Sequence, residues 1–489
     1  MLTHALPMVG LLVTSTALAA AGDQPNILLL IADDLGVADV GAYTVGPNAE
    51  PGSPPPTPSI DSIAANGVLF REAWSAPVCT STRAALYTGR YGLRTGVQNV
   101  GDVLALSEVT WAELLSEVGY VNGLFGKWHL GRTGAVGGLD APRVSGGWDD
   151  YQGILSGALM DYFSFNEVAN GVPRAVSTYA TTEQVDDALE WISNQTDPWT
   201  CTVAFTAPHS PFHIPPTDLH SFDLTAGSSD TQKYRAAVEA MDTEIGRIMT
   251  ALGAELENTI VVFIGDNGTP REAIESPYTT FKGTVYQGGV HVPMMISAPF
   301  VSDPGREVST PVHVADVFNT ILELGGVDVD AALPVLDIDG ESLIGMLESG
   351  TATTERDVIY TEIVYDDFRG ELFAVRGDRY KLLELDGAYE MYDLELDPLE
   401  TSELISGGLS ASEQEAFDLL LGSLQALRGI EPCIADFAEP MGTLDFFDVS
   451  AFITAFNNSD PAADLAAPDG AFDFFDVSAF IAGYIAGCP

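Results

Sequence analysis

Asn26-Ile27-Leu28-Leu29-Leu30-Ile31-Ala32-Asp33-Asp34 is an apolar, β-rich run that ends on two adjacent carboxylates. An uninterrupted apolar run bounded by polar residues reads as a strand buried on both faces, the kind found inside parallel sheets. Three more runs end the same way. Val121-Asn122-Gly123-Leu124-Phe125-Gly126 leads into Lys127-Trp128-His129, and the strand around Val203-Ala204-Phe205 leads to His209. Thr259-Ile260-Val261-Val262-Phe263-Ile264-Gly265 leads into Asp266-Asn267-Gly268. Between them, Glu183–Ile192 and Tyr234–Ile248 carry the apolar spacing of core-facing amphipathic helices. This alternation predicts an α/β fold with a mainly parallel central sheet flanked by helices. In open α/β sheets, ligands bind in the crevice beyond the carboxyl ends of the strands. If the four strands are neighbours, their carboxylates, lysine and histidines form one site.

Composition narrows the function. The chain has 489 residues, enough for two or three domains, and 46% of them are hydrophobic, ample for packed cores. Seventy acidic residues against 20 basic ones give a formal charge of −50. Such a surface repels nucleic acid and anionic membranes and suits solubility in a salty medium, where repulsion is screened. An anionic substrate would have to bind where local cations or a metal reverse that field.

Met1–Gly22 is rich in Leu, Val and Ala, ends in Ala19-Ala20-Ala21, and has only His4 in place of a basic leader. It reads as a secretory signal peptide, which places the protein outside the cytoplasm: periplasmic, at the cell surface or extracellular. No other stretch is long and apolar enough to span a bilayer, so an integral membrane protein is not expected. Four cysteines fit that setting. Cys433 and Cys488 bracket the last segment and could close it as a disulfide. Cys201 lies in a buried-strand pattern and reads as inert core.

After residue 350 the pattern changes. Leu372–Arg376 and Tyr380–Leu385, joined by Gly377-Asp378-Arg379, predict a β-hairpin. A strand at Tyr389–Leu394 and a helix at Glu413–Leu427 complete a smaller α+β subdomain over 351–430. Residues 433–489 repeat internally: Leu444–Ile453 recurs as Phe472–Ile481, 28 residues later. Each copy follows an acidic loop containing glycine. The repeat resembles paired dockerin-type or EF-hand-like calcium motifs, in which loop oxygens hold a hard cation. The second copy keeps Asp469, Gly470, Asp473 and Asp476, whereas the first has Met441 at a ligand position, and the loops from Asp436 and Asp464 are one residue long for the motif. Calcium loops and a disulfide-closed pair of helices are the two readings, and either makes this a separate attachment module.

The remaining cysteine opens Cys79-Thr80-Ser81-Thr82-Arg83-Ala84-Ala85-Leu86-Tyr87-Thr88-Gly89-Arg90. By itself that could be an ordinary half-buried thiol before a helix. Together with the strand ends, it resembles the signature of the formylglycine-dependent sulfatases, and the resemblance extends from about Asn26 to Leu404, with an arylsulfatase B-like phrase at Gly146–Phe163. What the resemblance implies is specific: an alkaline phosphatase-like fold, and Cys79 oxidised to formylglycine, whose hydrate attacks sulfur. Asp33, Asp34, Asp266 and Asn267, with the modified Cys79, would bind one divalent cation, Ca²⁺ before Mg²⁺. Arg83 would hold the formylglycine, Lys127 and Lys282 the sulfate. His129 would take the proton that releases sulfate, and His209 would protonate the leaving oxygen. The substrate class would be sulfated carbohydrate. Ser81 stands where proline or alanine is usual and Thr82 where serine is commoner, departures that bear on conversion of Cys79. Gln287 and His291 stand where the family usually has glutamate and arginine. The loop of Lys282 would then be held by neutral hydrogen bonds, leaving His291 to face the substrate. Two alternatives stay open: a phosphoester or phosphonate hydrolase of the same superfamily, and a non-catalytic exported binding protein.

Overall fold

A computed structural model of the chain describes residues 24–131, 134–365, 369–430, 435, 437–438, 444–466 and 471–486. The leader Met1–Gly22, Cys433, Cys488, Asp436, Met441, Asp469 and Gly470 lie outside the described residues. Two compact units divide at Phe373 and Ala374.

The first unit contains strands β1 (Asn26–Ala32), β2 (Val68–Phe70), β3 (Ala73–Trp74), β4 (Val121–Lys127), β5 (Asp150–Ile154), β6 (Phe165–Ala169), β7 (Val172–Val176), β8 (Trp199–Ala204), β9 (Thr259–Gly265), β10 (Met294–Ser297) and β11 (Arg306–Val308). All but β3 join one ten-stranded sheet in the order β11-β2-β10-β9-β1-β8-β4-β5-β6-β7. The centre, from β9 through β5, is parallel. The expected parallel core is therefore present, with antiparallel strands towards its edges at β10, β6 and β7.

The strand β1 shows why the centre is buried. Ile27, Leu29 and Ile31 enter one core with helices Cys79–Thr88, Trp111–Glu117 and Asp316–Leu324. Leu28, Leu30 and Ala32 enter the other with helices Ala180–Ile192 and Asp230–Leu252. Strand periodicity of two thus distributes one apolar run between two layers of helices. At roughly 1.5–3 kcal/mol for each large buried side chain, the strand is fixed from both sides. Cys201 lies in β8 and is fully buried, which pushes its thiol up; it is core.

Asn170-Gly171 joins β6 to β7 with both residues at positive φ, 47° and 82°. That is the tight hairpin turn favoured by Asn-Gly.

In the second unit, Tyr380–Leu385 pairs antiparallel with Ala388–Asp393, and the helix Ala411–Leu427 starts with a capping box between Ser410 and Glu413. The repeat forms helices Phe446–Asn457 and Phe474–Ala486. Phe452 and Phe480, equivalent positions, stack at 4.0 Å with 6° between their planes. Asp448 accepts N–H bonds from Phe437, Ala438 and Asp445. Asp476 accepts the corresponding bonds from Leu465, Ala466 and Asp473. Two copies of one local design therefore pack around a shared aromatic pair.

Candidate active site

The ends of β1, β4, β8 and β9 meet because their registers coincide. Ala32 lies opposite Gly265, while Ile31 and Gly126 both lie opposite Ala204. The residues that follow emerge at one edge, and backbone bonds carry the alignment onward: Asp33 N donates to Ala207 O at 3.0 Å and Asp266 N to Ala32 O at 2.9 Å. Cys79 begins the buried helix Cys79–Thr88, which no side chain caps. Its start therefore presents the positive end of the helix dipole. Gly89, at φ 69°, closes the other end.

Lys127 Nζ and His129 Nδ1 each lie 3.2 Å from Cys79 Sγ. Lys127 also donates to both Asp33 oxygens, at 2.7 and 2.9 Å. Lys282 Nζ donates to Asp34 Oδ1 at 2.5 Å, and His209 Nε2 lies 3.7 Å from Asp34 Oδ2. Arg83 grips Asp266 Oδ2 through Nε and Nη2, at 3.1 and 2.8 Å, and donates from Nη1 to the Lys127 carbonyl at 2.7 Å. Every site residue expected from sequence is brought into this cluster. Its carboxylates Asp33, Asp34 and Asp266 are matched by the cations Lys127, Lys282 and Arg83.

Burial opposes the charge on Asp34, but Lys282, His209 and Lys127 together hold it well below the ordinary carboxylate range. Asp266 moves the other way, pushed up by burial and by Asp33 despite Arg83. Burial would lower Lys282, yet Asp34 holds it above the usual lysine range. The Cys79 thiol is pushed up by burial against the pull of Lys127 and Lys282, so unmodified it is a poor nucleophile. His129 is held well below its usual value by burial, then by Lys127 and Arg83. Its imidazole is neutral and ready to accept a proton. Asp34 and His129 both have left-handed backbones, at φ 72° and 59°. Such conformations cost on the order of 1 kcal/mol or more and collect at functional sites.

The donor set fits a hard cation. Asn267 Nδ2 donates to Asp34 Oδ1 at 2.8 Å and to Gly268 O at 3.0 Å, which fixes the orientation of its amide. The amide Oδ1 is left buried without a hydrogen-bond partner. An orphaned buried acceptor costs about 1–3 kcal/mol, and a cation would satisfy it. Asp33, Cys79 and Asp266 offer ligand atoms within 4.8 Å of one another, as do Asp33, Asp34 and His209. Carboxylate and amide oxygens suit Ca²⁺ or Mg²⁺.

Neutral bonds help to hold the loop of Lys282, beside the ion pair of Lys282 with Asp34. Lys282 N donates to Thr269 O at 3.1 Å and Gly283 N to Pro77 O at 2.8 Å, while Gln287 Oε1 accepts from Trp74 Nε1 at 2.9 Å. His291 corrects the sequence reading. It does not face a substrate: its Nε2 bonds to Arg71 O at 2.6 Å and the residue is 5% exposed. The ring is a structural tie, because the Arg71 carbonyl offers a buried acceptor that an imidazole N–H satisfies. Ser81 is buried with no hydrogen-bond partner for its hydroxyl. Three residues were not singled out from sequence. Thr80 Oγ1 lies 3.2 Å from His129 Nδ1, the backbone of Gly157 lies against the His129 ring, and Tyr162 OH lies 2.7 Å from His209 O. Thr80 had a signal in its place beside Cys79, and Gly157 and Tyr162 in the arylsulfatase B-like phrase, which assigned neither a partner.

A family model described as Sulfatase matches residues 25–327. The chain belongs to the sulfatase family. A second model, N-sulphoglucosamine sulphohydrolase, C-terminal, matches residues 279–425 of this sulfatase. Arylsulfatase A of Homo sapiens is 30% identical over 416 residues, covering 76% of this chain and 77% of the relative. A sulfatase of Formosa agariphila is 28% identical over 513 residues, covering 86% and 90%. Among solved structures, Ps i-CgsB in complex with k-i-k-neocarrahexaose superposes with a TM-score of 0.72 at 26% identity, over 83% of this chain and 93% of that one. The enzyme is accordingly a sulfuric ester hydrolase. No helix among its described residues is long and apolar enough to cross a membrane.

Proposed function

We propose that this sulfatase hydrolyses sulfate esters of carbohydrate, using formylglycine derived from Cys79 and one divalent cation. The observation that carries the reading is the meeting of Lys127 and His129 on Cys79 Sγ, each at 3.2 Å, at an uncapped helix start. Asp33, Asp34, Asp266 and Asn267 would hold the cation, Ca²⁺ in preference to Mg²⁺, with the residue at position 79 completing the set. When bound, the cation polarises the sulfate, and formylglycine supplies a hydrated aldehyde as nucleophile.

The chain's own residues do the rest. Lys127 and Lys282 bind the anion together with the helix start. Arg83 fixes Asp266 and, through the Lys127 carbonyl, the end of β4. Neutral His129 takes the hydroxyl proton at position 79, and His209, the more exposed histidine, gives a proton to the departing sugar oxygen. Three carboxylates matched by three cations leave the charge of a dication uncompensated, so an anion is drawn in despite the −50 of the chain. The carbohydrate substrate is taken from the oligosaccharide bound by Ps i-CgsB. Residues 1–22 would direct export and 23–350 form the catalytic domain. Residues 351–430 form the α+β subdomain, and 433–489 a dockerin-like attachment module.

Mass spectrometry of the peptide spanning Cys79, from active protein made in a host able to mature it, is expected to find the aldehyde residue. Active material carrying only the thiol overturns the mechanism. Faster turnover of a phosphonate monoester than of any sulfate ester overturns the reaction class.

A further inference from the structure

The segment between β5 and β6 touches the site at two points. At one end, a β-carbon added to Gly157 would lie 2.3 Å from His129 Nε2, so the backbone there touches the imidazole. At the other, Tyr162 OH lies 2.5 Å from Thr206 O and 2.7 Å from His209 O, which ties the segment to the loop of the second histidine. Along this segment Leu159 and Tyr162 turn into the core, whereas Met160 is 94% exposed and Phe163, just past Tyr162, is 41% exposed. The Phe163 ring has a backing: it lies 5.2 Å from Tyr179 and meets His213 edge-on at 5.9 Å. His213 is itself stacked on Tyr162 at 3.9 Å and bonded to Tyr179 OH at 3.0 Å. Asp161 accepts from Phe163 N at 2.8 Å, which fixes the backbone beneath the ring.

A lone exposed apolar side chain is ordinary. Here two of them stand on one short segment that touches the ring of one active-site histidine at Gly157 and is tied to the backbone of the other at Tyr162. We propose that Met160 and Phe163 form the subsite for the sugar ring that carries the scissile sulfate, packing against its C–H face. A pyranose has an apolar face and a polar rim, and this segment has the matching arrangement, two apolar surfaces flanking an acceptor at Asp161. An anionic Asp161 accepts bonds from hydroxyl groups and repels a second sulfate, so the preferred ring carries one sulfate and free hydroxyls. The inference rests on the reading of the site given above.

The test compares M160A, F163A, the double variant and F163W in the matured full-length enzyme. The esters are a singly sulfated galactan oligosaccharide and 4-nitrophenyl sulfate. F163A is expected to lower kcat/KM on the oligosaccharide about tenfold relative to the aryl ester, the usual weight of one well-packed contact. The loss falls mainly in KM, and F163W restores most of it. An unchanged ratio between the two esters in the double variant, at the wild-type melting temperature, overturns the proposal. So does an equal loss on both esters, which would make the segment only a support for His129 and His209. A wild-type enzyme that releases sulfate from neither ester overturns the parent reading, and this one with it.

Discussion

Gly157→Ala places one methyl group against the imidazole of His129. The added carbon would lie 2.3 Å from Nε2, 2.4 Å from Cε1 and 3.0 Å from Cδ2. Favourable contact between such atoms begins at about 3.5 Å, so either the ring or the segment bearing Gly157 must move by roughly 1 Å. The segment is the stiffer partner, because Leu159 and Tyr162 are buried and Tyr162 is bonded to two backbone carbonyls. His129 is held by its contacts to Cys79 and Thr80 on a strained backbone, and it yields. A reacting group misplaced by 1 Å costs about 100-fold in rate, or roughly 2.7 kcal/mol of barrier. The backbone of Gly157 needs no positive φ, so alanine is conformationally acceptable and the fold survives with an overpacking cost of about 1–3 kcal/mol. The assay is kcat on a small aryl sulfate, beside a thermal melt of the same samples. The expected result is a kcat near one hundredth of wild type with KM little changed. A kcat within about threefold of wild type would refute the claim that this ring, held in this place, carries a proton.

Asp242 accepts N–H bonds from Ser59 and Ile60, and burial raises it from 3.8 to about 6 despite those bonds. A raised carboxyl binds more protons folded than unfolded, so its stabilising contribution is present below pH 3.8 and lost as pH climbs through about 6. The change is about 3 kcal/mol, read as melting temperature against pH and absent in Asp242→Asn; parallel curves for the two proteins would contradict it. Exhaustive chelation should abolish hydrolysis and lower the melting temperature, and excess Ca²⁺ at one hundred times its dissociation constant should return about 2.7 kcal/mol. A melt indifferent to chelator and calcium would leave no resident cation. Truncation after residue 430 should leave hydrolysis of a small soluble ester intact; a folded but inactive truncate would make the repeat part of the active site.

What the sequence revealed depended on how locally each feature is encoded. The strands β1 and β9 are legible because burial on both faces demands long apolar runs, and Asp33 and Asp266 follow them without a gap; β4 and β8 carry polar residues within them, and His209 stands five residues past the end of β8. The hairpin from β6 to β7 was passed over although Asn170-Gly171 announces it, because its strands are short and partly polar. The phrase that holds Gly157 and Tyr162 is legible but their contacts are not, since their partners His129 and His209 are 28 and 47 residues distant, and the contacts exist only after the sheet has set its register. His291 was misjudged for the same reason: its acceptor is a backbone carbonyl at Arg71, and no side-chain pattern marks a carbonyl.

The grip of Arg83 on Asp266 and on the Lys127 carbonyl has a practical side. With no exposure at either partner, this pair joins the helix start to the ends of two strands. Removing one member would strand the other in the interior, a loss of about 3–5 kcal/mol, comparable to much of a domain's total stability. Inactive versions made at Arg83 or Asp266 would therefore be poor controls, since silence and collapse would look alike in a turnover assay. A substrate trap is better made at Cys79, where serine replaces one small group by another and the architecture around it stands.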